Sequence, residues 1–95
     1  MNAIETIMRD WRMRISSLRC EEVCAGLAHL GFEIKNGKCP GHKVVSHSAL
    51  RGFIGTNFNC GHGRNDVVKI AYIKKLLRVL SENQSELEQR ENSHE

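Results

Sequence analysis

The stretch Gly31-Phe32-Glu33-Ile34-Lys35-Asn36-Gly37 decides the fold, because the hydrophobic period changes within it. Before Gly31, the residues Val23, Cys24, Leu27 and Leu30 recur at helical spacing. After it, Phe32 and Ile34 alternate with Glu33 and Lys35, the pattern of a half-buried strand. Gly31 suits the helix end, since glycine takes a left-handed conformation without a clashing β-carbon. Asn36-Gly37 is a hairpin turn signal, so a second strand is expected to return beside the first.

Upstream, Ile4, Ile7, Met8 and Trp11 predict a short amphipathic helix that stops at Ser16-Ser17. Those serines are placed to cap the second helix, whose first turn carries Glu21 and Glu22 at the positive end of the macrodipole. Downstream, a strand from His42 sends His42, Val44 and Ser46 to one face and Lys43, Val45 and His47 to the other. Residues 48–52 read as a loop and Phe53–Cys60 as a third strand, with Ile54, Thr56 and Phe58 on one side. The polar, glycine-rich run 61–66 reads as a loop ending in a cap. A last helix is expected from about Val67 to Leu80, with Ile70, Ile73, Leu76, Leu77 and Leu80 inward and Lys74, Lys75 and Arg78 outward.

The expected order is helix, helix, three strands, helix. That is an α+β sandwich with a three-stranded antiparallel sheet, helices on one face and the other face open. Ninety-five residues make one domain. Within it, residues 1–15 form an N-terminal helical extension, 16–81 the main body, and 82–95 an acidic tail or helix extension.

Charge is uneven along the chain. Residues 1–30 balance four basic against four acidic side chains, whereas 31–80 hold nine Lys or Arg against only Glu33 and Asp66. Residues 81–95 hold five Glu against Arg90. A basic centre points to a polyanionic partner. No run of 18 apolar residues exists, and the charged start MNAIETIMRDWRMR lacks the apolar stretch of an export signal. A cytoplasmic chain with no membrane contact is therefore expected, its four cysteines reduced.

The segment Lys38-Cys39-Pro40-Gly41-His42-Lys43 supports two readings. Cys39 and His42 form one half of a zinc site if Cys60 and His62 supply the other, four nitrogen and sulfur ligands being the tetrahedral requirement. Cys60 and His62 have only one residue between them, short of the spacing that lets a loop wrap the metal. The other reading makes His42 a proton-transfer group beside Lys43, since histidine exchanges protons near neutral pH. His62, in its glycine-flanked loop, is a candidate phosphate contact. His47 falls on the opposite strand face and cannot pair with His42, while His29 and His94 read as structural or exposed. Walker, HExxH and GxSxG motifs are absent, and two acidic residues in the centre are too few for a two-metal nuclease. Metal-independent chemistry without a cofactor is what remains.

The runs EEVCAGLAHLGFEIKNGKCPGHKVVSH (21–47), FIGTNFNCGHG (53–63) and VVKIAYIKKLLRVL (67–80) resemble the HicA toxins of bacterial type II toxin-antitoxin systems. The family pattern is a helix ending in LGF, a strand, a turn into Gly-Ser-His or Gly-Thr-His, a further histidine about five residues on, another strand and a closing helix. The resemblance covers roughly residues 17–81, and RDWR (9–12) is similar to an N-terminal extension of some members. It implies a double-stranded-RNA-binding-domain-like fold, an mRNA endonuclease that arrests growth, and a HicB-like antitoxin covering the active site in a hetero-oligomer. The family's catalytic histidine falls on His42. One departure is clear: the family's glycine and hydroxyl residue are Pro40 and Gly41 here, which removes one phosphate hydrogen bond. The expected reaction is transesterification, with His42 as base or acid, Lys43 and the Arg64 loop on phosphate, and Lys74, Lys75 and Arg78 extending the contact.

Overall fold

The computed structural model describes residues 2–60 and 66–92. Its elements are α1 (Ala3–Met13), α2 (Cys20–His29), β1 (Glu33–Asn36), β2 (His42–Ser46), β3 (Thr56–Asn59), α3 (Ile70–Glu82) and α4 (Gln84–Asn92). The strands form one antiparallel sheet in the order β1-β2-β3. The architecture is thus α+β, with an open three-stranded sheet and four helices. None of the described helices is long and apolar enough to cross a membrane.

Helix α1 opens on Asn2, whose side-chain oxygen accepts the Glu5 N–H at 3.0 Å. Ile4, Met8 and Trp11, one face of the helix, are buried. Trp11 lies against α2 at Gly26, where a β-carbon would stand 3.0 Å from Cζ2 of the indole. Residues 1–15 thereby contribute core side chains.

The serines do not cap α2. The hydroxyl and N–H of Ser17 donate back to the Arg14 carbonyl, and the helix starts at Cys20 behind an extended Arg19 with no side-chain cap. The reason is tertiary: Leu18 is fully buried, and residues 18–20 run beside 66–68. Val68 N–H donates to the Leu18 carbonyl at 2.8 Å and Cys20 N–H to the Asp66 carbonyl at 3.0 Å. The same pairing engages Val67 and Val68, and Lys69 is extended after them, so α3 begins at Ile70 instead of Val67.

At the other end of α2, Gly31 has φ +91°, the Phe32 N–H reaches the Leu27 carbonyl at 3.1 Å, and the Gly31 N–H reaches Ala28 at 3.0 Å. These two bonds are the Schellman closure expected of a C′ glycine. A β-carbon at Gly31 would also lie 2.9 Å from Nε2 of His47.

The hairpin turns later than Asn36-Gly37. Asn36 pairs with Lys43, the Gly37 N–H donates to the His42 carbonyl at 2.8 Å, and the reversal is carried by Lys38–Gly41. Within it the His42 N–H returns to the Cys39 carbonyl at 3.1 Å, with Pro40 and then Gly41 at φ +83° between them. Proline followed by a positive-φ glycine is the central pair of a type II turn, and this turn overrides the shorter signal. Strand β3 is also shorter than expected. Gly55 has φ +113° and interrupts the chain after Ile54, which is fully exposed instead of facing inward with Phe58.

The core gathers Val45 and Phe58 from the sheet, Leu27 from α2, Ile73, Leu76 and Leu80 from α3, and Leu87 from α4. The acidic C-terminal segment is helical as far as Asn92 and tied to α1, with Asn2 Nδ2 donating to Glu88 at 2.8 Å. The cysteines are not all reduced: Cys20 and Cys60 form a disulfide, their Cα atoms 5.2 Å apart. The expectation of free thiols rested on compartment alone, whereas packing the start of α2 against the end of β3 brings these two within bonding reach.

Candidate functional site

The sheet register assembles the open face in rows. Lys35, Val44 and Asn57 lie side by side, His42 is level with Asn59, and Glu33 with Ser46. Val44 and Ser46 are exposed, whereas Val45 and His47 on the other face are buried. Alternation along β2 therefore brings His42 to the open face.

Three neighbours define the His42 ring. Its Nδ1 lies 2.8 Å from Oδ1 of Asn59 on β3. On the β1 side stands Gly37, where a β-carbon would come within 2.0 Å of the ring Cδ2. Beyond the ring the Lys38–Pro40 loop, with Val44 and Asn59, encloses a cleft of about 540 Å³. Nε2 has no hydrogen-bond partner among the described residues and is not a buried, unsatisfied atom, so it is open to solvent. A second hollow of about 560 Å³, between Ile54, Thr56, Val79, Glu82 and Glu86, holds none of the expected site residues.

The expected cations are dispersed. Lys43 projects from the covered face of β2, where its Nζ donates to Oδ1 of Asn36 at 2.6 Å. There it also faces Cys24 of α2, whose thiol is pushed up by burial and partly drawn back by the Lys43 ammonium. Lys75 reaches the β3 edge, donating to Asn57 Oδ1 at 3.1 Å and standing 5.2 Å over the Tyr72 ring. Lys74 and Arg78 are exposed on α3 and do not line the cleft. His62 and Arg64 lie outside the described residues, as does His94.

His47 is a structural histidine. It is 7% exposed, accepts the Ala49 N–H at Nδ1 (3.2 Å) and so carries its proton on Nε2, which donates to the Leu30 carbonyl at 3.1 Å. The four zinc candidates are not a set among the described residues. Cys39 and His42 share the cleft, but Cys60 is bonded to Cys20 on the buried side. No group of three or more His, Cys, Asp or Glu among the described residues is arranged to hold a metal.

Sequence reasoning passed over Asn59 and Lys38. The alternation in Asn57-Phe58-Asn59 puts both asparagines opposite the buried Phe58, which was a readable signal, but pairing Asn59 with His42 needs the strand register. Lys38 enters the site because the turn is longer than Asn36-Gly37 suggested. Comparison with family models, with curated proteins and with solved structures finds no match.

Proposed function

We propose that this chain is a metal-independent endoribonuclease of the HicA kind, the toxin of a type II toxin-antitoxin system. On this reading its α+β domain is double-stranded-RNA-binding-domain-like, it cleaves mRNA in the cytoplasm, and a HicB-like antitoxin covers the cleft in a hetero-oligomer. The observation that carries the reading is His42, held by Asn59 on the open sheet face with Nε2 unpartnered among the described residues, in the lining of a cleft that it shares with Lys38.

Nε2 is placed to draw the proton from a ribose 2′-hydroxyl. The alkoxide attacks the adjacent phosphorus, the bond to the 5′-oxygen breaks, that oxygen takes a proton from water, and the products are a 2′,3′-cyclic phosphate and a 5′-hydroxyl. Lys38 at the cleft and Lys35 on the same face supply positive charge toward the phosphate, and Lys75 at the β3 edge extends it. Among the strand residues of this face Glu33 alone carries a carboxylate, in the row beyond Val44, which argues against a two-metal arrangement.

A second reading, an RNA-binding module without turnover, is favoured by one feature: the turn before His42 holds Pro40-Gly41, so no hydroxyl is available there to a phosphate. Labelled mRNA incubated with purified protein in a chelator separates the two. Fragments from wild type and none from His42→Ala, with unchanged circular dichroism, are expected, together with loss of growth arrest. A His42→Ala protein that still cleaves refutes the catalytic proposal.

A further inference from the structure

We infer that Asn59 is a positioning residue that fixes the tautomer of His42; the inference rests on the reading of His42 as the proton-transfer group. An amide oxygen has no hydrogen to give, so the 2.8 Å contact between Asn59 Oδ1 and Nδ1 requires the proton to sit on Nδ1. In the neutral ring Nε2 then carries the lone pair, and Nε2 is the ring nitrogen without a partner among the described residues, on a side chain that lines the cleft. Asn59 thus gives the histidine the protonation pattern a base needs, without adding a charge.

The contact is built on rigid parts. Asn59 and His42 are paired residues of adjacent strands, and the next residue, Cys60, donates its N–H to the Gly41 carbonyl at 2.8 Å while its sulfur is bonded to Cys20. The end of β3 is therefore held both to the turn that delivers His42 and to α2. Gly37 stands on the other side of the ring, where any β-carbon would collide with Cδ2, so the ring takes this position beside Asn59 only because residue 37 has no side chain. His47, just past the end of the same strand, shows the contrast: its Nδ1 accepts an N–H, its proton is on Nε2, and it has no open nitrogen. Two histidines five residues apart thus hold opposite tautomers, each set by its partner.

The test uses ring ¹⁵N chemical shifts of the full chain at alkaline pH, where imidazoles are neutral, together with steady-state RNA cleavage. Wild-type His42 is expected to carry its proton on Nδ1. Asn59→Ala is expected to move the proton toward Nε2 and to lower kcat about ten- to hundredfold with KM little changed. Asn59→Asp, which keeps the acceptor, is expected to retain the Nδ1–H tautomer and most of the rate. Asn59 is exposed, so both variants should fold, and circular dichroism checks this. A wild-type ring protonated on Nε2, or an Asn59→Ala ring unchanged from wild type, overturns the assignment, as does a tautomer change without a change in rate. Failure of the functional reading shows itself separately, as wild-type protein that leaves RNA intact, while the tautomer read on free protein still shows whether Asn59 sets the protonation of His42.

Discussion

Sγ of Cys20, at the first residue of α2, is bonded to Sγ of Cys60, just past the end of β3 and 40 positions along the chain. The bridge spans the hairpin, so every strand of the sheet lies inside the loop it closes. Constraining an unfolded loop of this length is worth about 3–4 kcal/mol in the chain-entropy model.

Reduction, or the double variant Cys20→Ser with Cys60→Ser, is accordingly expected to lower Tm by on the order of 15–25 °C in a chain of this size. Thermal unfolding with and without dithiothreitol measures it. Thiol titration in denaturant without reductant should count two groups, Cys24 and Cys39. Four would show that the bridge is not formed.

Gly37→Ala is expected to impair the site and spare the fold. The new methyl would fall 2.0 Å from His42 Cδ2, and φ at Gly37 is not positive, so the backbone accepts alanine while the ring must move. RNA cleavage should fall at least about tenfold, the loss that about 1.4 kcal/mol of misplaced transition-state stabilisation produces. Circular dichroism and Tm should change little. Unimpaired cleavage would mean that the ring position does not matter.

His47→Leu is expected to do the reverse. It keeps the volume but leaves the Leu30 carbonyl and the Ala49 N–H without partners, and it disturbs the edge contact with Phe32 at 4.8 Å. Leaving such part-buried groups unpaired costs about 1 kcal/mol or more, readable by urea unfolding. Cleavage per folded molecule should be unchanged, because His47 faces away from the cleft.

The α1–α4 contact is expected to weaken in acid. The Glu88 carboxyl is held below the ordinary glutamate range first by the hydrogen bond from Asn2 and then by that from Gln84, with desolvation opposing. Its folded pKa is depressed, so its contribution is complete above the unfolded-chain value of about 4.3 and disappears as pH falls through the lowered value. Amide exchange in α4 should accelerate over that window. Asp10, lowered chiefly by its Arg14 hydrogen bond, titrates nearby, and Glu88→Gln separates the two by flattening only the α4 response.

Much of the fold was legible because it is written in local periods. The switch at Gly31 located the helix end and the first strand, and a period of two placed His42 and His47 on opposite faces before any coordinates. Local signals failed where a distant segment competed for the same backbone. Ser16 and Ser17 carry good capping chemistry, yet burial of Leu18 and its pairing with Val68 moved the start of α2 to Cys20. Asn36-Gly37 is a strong turn, yet Pro40-Gly41 four residues on made a better-matched one.

The sequence by itself determined the alternation that brings His42 to an open face and the basic character of the central segment. Both are properties of neighbours in the chain. Only the tertiary structure decided that Asn59 meets Nδ1, that Cys60 joins Cys20 and that Lys43 turns toward Asn36 and away from the cleft. The first two are pairings across 17 and 40 residues, set by strand register and by the docking of α2 against the sheet. Such contacts depend on how whole elements pack, and no local spacing encodes them.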